Sequence, residues 1–102
     1  MTPYASKRRC KRLIKIIVDQ CVIIHSKTNS LDHELLSNLC EWCKEHVGKR
    51  RPHHPIYEAE QGWIDFFEGV WSCTTINNDY WFWFSNHTDR VLFKLTWDKH
   101  GD

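Results

Sequence analysis

Glycine and proline are scarce, four and three in 102 residues, which excludes a collagen-like repeat or a low-complexity linker and argues against the glycine-rich loops that cradle phosphate. The apolar runs are only a handful of residues long, far short of the roughly twenty that a helix needs to cross a bilayer. Catalytic motifs are missing too: no nucleophile elbow, no HExxH, and no helix-turn-helix, ribonucleoprotein or zinc-finger spacing. The six basic side chains of residues 1–15 precede an apolar run that Asp19, Gln20 and His25 interrupt and that has no small-residue cleavage site. This does not read as a secretory leader, so the expected location is cytoplasmic. The five cysteines (10, 21, 40, 43 and 73) form an odd set that a reducing cytosol keeps as thiols. The sequon Asn86-His87-Thr88 carries no weight without secretion.

What the chain has in abundance is rings: six Trp, five Phe and three Tyr. Large aromatics supply most of a small core, and 41% apolar against 26% charged residues is the balance of one folded domain spanning 1–102. Net charge is only +1, but it is unevenly spread. Residues 1–55 carry eleven Lys or Arg against five acids, and residues 56–102 carry three against eight. The reading is therefore a basic helical half (1–48), a loop (49–55) and an acidic, aromatic β half (56–102).

From Lys7 to His25 the apolar residues Cys10, Leu13, Ile14, Ile17, Cys21 and Ile24 recur at helical steps, which predicts a first helix, with a β-branched second half that also suits a strand. A second helix follows caps at Asn29 or Ser30, runs through Leu31, Leu35, Leu39, Trp42 or Cys43, and Val47, and stops at Gly48. Residues 48–55, GKRRPHHP, read as a solvated loop, and a short third helix is expected near Ala59 to Phe67. Three strands then follow at Val70–Ile76, Tyr80–Ser85 and Arg90–Asp98. Asn77-Asn78 suits a two-residue hairpin turn that sets Thr75 against Tyr80, Cys73 against Phe82 and Trp71 against Phe84. The expected fold is α+β: two N-terminal helices and a short third packed on a C-terminal three-stranded antiparallel meander.

In this register Trp81 and Trp83 point away from the helices, with Thr74, Leu92 and Lys94 beside them and a cation–π contact between Lys94 and Trp81. Such an apolar patch marks a protein interface. The competing reading is that another segment covers it and both sheet faces are core. A second surface is basic: Lys7, Arg8, Arg9, Lys11 and Arg12 at the first helix, with Lys49, Arg50 and Arg51 in the loop, suited to phosphates or an acidic protein. Cys40 and Cys43 form a CxxC, but three-residue spacing inside a helix packs thiols into a core, so neither zinc nor redox chemistry is expected of that pair. His53 and His54 with Glu58 or Asp65 offer general acid–base groups for a nuclease. The expectation is a non-catalytic binding protein without cofactor or metal. It would dock on a larger protein as an inhibitor or antagonist, with a homodimer or a nucleic acid as the other partners the charges admit, and no membrane.

Overall fold

The computed structural model describes residues 7–25, 33–62 and 69–97. Its elements in chain order are helix α1 (Lys7–Asp19), strand β1 (Cys21–His25), helices α2 (His33–His46) and α3 (Pro55–Glu60), strands β2 (Trp71–Ile76) and β3 (Asp79–Phe84), and helix α4 (His87–Trp97). The sheet is antiparallel throughout, in the order β1-β3-β2. The α+β class holds. The meander does not, because the strand beside β3 comes from the N-terminal half.

The hairpin forms as its sequence dictates. Asn77 and Asn78 both take positive φ, 52° and 67°, the pair of angles a two-residue turn needs to match strand twist. The predicted register follows, with Thr75 against Tyr80, Cys73 against Phe82 and Trp71 against Phe84. Residues 90–97, expected as a third strand, are helical instead. Asn86 Oδ1 accepts from the Thr88 amide at 2.8 Å, Asp89 lies in the positive first turn, and these cap signals outweigh the two-residue alternation of Val91, Phe93 and Leu95. The first helix is correspondingly shorter than expected. It ends at Asp19, and the β-branched run from Val22 to Ile24 pairs as a strand against Phe82, Trp81 and Tyr80.

Both faces of the sheet are covered. Trp71, Tyr80, Phe82, Phe84, Val22 and Ile24 pack against Leu39 and Cys43 of α2 and Phe93 of α4. Phe93 is the hub: its ring lies 4.9 Å from Phe82, 5.0 Å from Phe84 and 5.6 Å from Trp42. Across the sheet, Trp83 packs with Ile17 of α1 and with Ile56 and Ala59 of α3. The third helix is expected at Ala59–Phe67 but is observed earlier, because Pro55 starts it and the His54 side chain caps it. It also ends earlier than expected, at Glu60 with Gln61 as its C-cap; Phe67 and the expected caps at Asn29 and Ser30 lie outside the described residues. The molecule thus has three layers, helices on either side of one sheet.

Candidate functional site

Strand β3 is central, so β1 and β2 each have an outer edge. The Phe84 amide donates to the Gln20 carbonyl at 3.2 Å, and alternation along an antiparallel pair then turns the Val22 and Ile24 backbone toward β3 and the backbone of Cys21, Ile23 and His25 outward. Among the described residues no segment pairs with that outward row. The outer edge of β2 is occupied. The Arg51 amide donates to the Trp71 carbonyl, the Arg50 guanidinium donates to the Cys73 carbonyl at 3.4 Å, and Arg50 forms a parallel bridge with Trp71.

A groove of about 570 Å³ runs along the open edge between β1 and α4, lined by Asp19, Cys21–His25, His87, Arg90, Val91 and Lys94. Arg90 anchors one end. Its guanidinium donates to the Asp19 carbonyl at 3.0 Å and contacts His87 Nδ1, fixing the start of α4 against the junction between α1 and β1. Lys94 is exposed one turn further along. The acid of the groove, Asp19, has Lys15 3.6 Å away, and His25 pairs with Asp79 at 3.1 Å. The groove is therefore cationic along its α4 wall. Beyond that wall α4 exposes Val91, Leu92 and Leu95, the last at 72%, around a shallow apolar hollow of about 390 Å³.

The residues expected to form an aromatic docking face are split by the structure. Thr74 and Trp81 do stand opposite each other, and Trp83 lies on the same face. That face is covered: Trp83 is only 9% exposed beneath α1 and α3, its indole N–H donates to Gln20 Oε1 at 3.0 Å, and Thr74 Oγ1 is hydrogen-bonded to Tyr57 at 2.7 Å. Leu92 and Lys94 sit on α4, in the layer beyond the other face, so the predicted contact of Lys94 with Trp81 does not form. The ring of Trp83 instead faces the Arg51 guanidinium at 5.9 Å.

The basic residues divide as well. Lys7 begins α1, and Arg8, Arg9, Lys11, Arg12 and Lys15 line its exposed side. Lys49 and Arg50 are exposed, with Arg50 also lying over Trp71 at 5.5 Å. Arg51, expected in water, is 2% exposed and bound to Glu58 at 2.6 Å. A buried guanidinium needs such a partner, and Glu58 was not recognisable as one from a sequence seven residues away.

Of the two histidines, His54 is buried and His53 is exposed. His54 Nδ1 accepts from the Ile56 amide at 3.1 Å, and its other nitrogen faces Cys21 Sγ at 3.8 Å. Burial lowers His54 to about 4, with the Arg51 charge adding to it and a hydrogen bond to the Trp81 backbone opposing it. Burial likewise raises the Cys21 thiol to about 12. The two therefore stay neutral at pH 7 and make no thiolate–imidazolium nucleophile. Glu58 is committed to Arg51, and Asp65 lies outside the described residues. Among the described residues no three His, Cys, Asp or Glu side chains are grouped to hold a metal ion, and no helix is long and apolar enough to cross a membrane.

In sequence Cys21–Ile24 also satisfies the helical period of α1, which hides this edge; the β-branched run is the signal of a strand. Compared with known protein families, curated proteins and solved structures, the chain matches none.

Proposed function

We propose that this protein is a non-catalytic binding domain that captures an extended, acidic segment of a larger protein by adding it as a fourth strand to the outer edge of β1. The observation that carries the reading is the outward backbone row of Cys21, Ile23 and His25 beside a groove whose helical wall bears Arg90 and Lys94. Strand addition draws its affinity from main-chain hydrogen bonds and its specificity from the side chains that flank the edge. Here Arg90 and Lys94 select carboxylates, and Val91 receives apolar residues between them. A second copy of the chain fits less well, since edge-to-edge pairing brings like-charged α4 walls together. A domain of this size that covers a partner's segment acts as an antagonist of whatever else uses that segment.

The test is equilibrium binding of the full chain to a short labelled peptide alternating Glu and Val, with its Lys/Val counterpart as control. The reading expects binding of the Glu peptide only, weakened by salt, and abolished by Ile23→Pro, which removes an outward amide while leaving the bonds to β3. Equal binding of the Lys peptide, or unchanged binding in Ile23→Pro, would overturn it. So would a sedimentation profile in which the chain alone is a dimer through β1.

A second reading rests on the exposed basic side of α1. Arg8, Lys11, Arg12 and Lys15 are exposed there, and such a row suits a nucleic-acid backbone. If it operates, a nucleic-acid oligomer binds with a steep salt dependence that Arg8→Ala, Lys11→Ala and Arg12→Ala together flatten, while Ile23→Pro leaves it intact.

A further inference from the structure

The sulfurs of Cys40 and Cys73 lie 3.7 Å apart, one on α2 and one on β2, across 33 residues of sequence. Both side chains are half-buried rather than sealed. They are brought together because Cys40 faces the sheet from α2 while Cys73 projects from the same face as Trp71 and Phe82. The CxxC partner of Cys40 in sequence, Cys43, is fully buried instead. We infer that Cys40 and Cys73 form a peroxide-sensitive dithiol, in which a hydroperoxide oxidises Cys40 and Cys73 resolves it to a disulfide that ties α2 to β2.

The division of roles follows from the surroundings. The two thiols share one S–H···S hydrogen bond in which either sulfur can donate; with Cys73 as donor it does most to bring Cys40 down to about 7, burial opposes it, Arg50 and Lys44 assist, and Glu41 works against them. Cys73 is pushed up by the same bond and by burial, so it keeps its proton. Burial also raises Cys43. Cys40 is thus the readier of the two to ionise, and the thiolate is the form that attacks peroxide.

The Cys40 thiolate displaces hydroxide from hydrogen peroxide, forming an S–O bond as the O–O bond breaks and leaving Cys40 as a sulfenic acid. The Cys73 sulfur then attacks the Cys40 sulfur; the S–O bond breaks, the S–S bond forms, and the departing oxygen leaves as water with the Cys73 proton. Two cysteine sulfurs are oxidised by two electrons in total and one peroxide is reduced. Forming the disulfide closes the sulfurs from 3.7 Å to a bonded separation of about 2.05 Å.

The experiment treats the full chain at neutral pH with a stoichiometric amount of hydrogen peroxide, alkylates the remaining thiols and maps the peptides. The expected product is a linked Cys40–Cys73 peptide, lighter by two hydrogens. It should come with a thermal midpoint raised by on the order of 10 °C that dithiothreitol returns to its starting value. In Cys73→Ser, Cys40 should stop at a sulfenic acid trapped by dimedone. Cys40 recovered alkylated, a link through Cys43 or Cys10, or Cys40 driven to sulfinic acid without a link would each overturn the inference, and the wild-type map alone decides if Cys73→Ser does not fold. An unreactive Cys40 in iodoacetamide kinetics, titrating at the ordinary thiol range, overturns it equally.

Discussion

The two edges of the sheet present the same backbone chemistry and are treated in opposite ways. Along β2 the outward carbonyls of Trp71 and Cys73 are taken by the Arg51 amide and the Arg50 guanidinium, and the covering segment is held by the buried pair of Arg51 with Glu58. Along β1 the outward groups of Cys21, Ile23 and His25 meet a groove, and α4 stands back from it with Arg90 and Lys94 on its wall. A free edge invites pairing with other chains, and proteins generally blunt it. One edge is closed with a buried charge pair and the other lies beside a cationic groove, and the proposed docking makes use of the second.

The largest effects are expected at the cover of β2. Glu58→Ala leaves the Arg51 guanidinium buried without its carboxylate and should cost about 3–5 kcal/mol in urea unfolding, with faster amide exchange along β2. Acid acts on the same cover. His54 is held neutral, its folded pKa of about 4 lying below the ordinary histidine value, so the unfolded chain takes up the proton first as pH falls. Stability should be fully present above about 6.5 and decline toward pH 4 by about 3 kcal/mol. His54→Asn, which keeps a cap for α3, should flatten that slope in pH-dependent denaturation.

Gly69 lets the cover approach. Its φ is 128°, and a Cβ there would stand 2.6 Å from the backbone of Arg51, so Gly69→Ala should cost about 2 kcal/mol or more by thermal unfolding. The smallest perturbations distinguish the two edges. Ile23→Pro and Thr75→Pro place the same residue at an outward position of each edge, where neither removes a ladder hydrogen bond to β3, yet only the first should lose affinity for the Glu/Val peptide. Lys94→Glu should weaken that peptide about tenfold by isothermal titration, through charge alone.

The hairpin was legible because Asn77-Asn78 fixes a register and a register fixes which side chains share a face. Trp81 and Trp83 indeed share the face opposite Phe82 and Phe84. What parity cannot reveal is whether a face is covered. The cover over Trp83 includes a six-residue helix, Pro55–Glu60, too short to announce itself by periodicity and set by a histidine cap in a segment that reads as loop. Residues 90–97 satisfied both a strand alternation and a helical period, and the deciding signal was local: Asn86 with Asp89 three residues on. Arg51 looked like one more solvated cation, because burial of a charge is decided by a partner in space. The proximity of Cys40 to Cys73 was illegible for the same reason, since it depends on how α2 lies across β2.

Residue-resolved amide hydrogen exchange of β1, with and without the Glu/Val peptide, tests the docking edge most directly. In the free chain the amides of Cys21, Ile23 and His25 should exchange much faster than those of Val22 and Ile24, and peptide should slow the fast set while leaving β2 unchanged. Uniform protection along β1 in the free chain, or peptide-induced protection confined to other elements, would contradict the account.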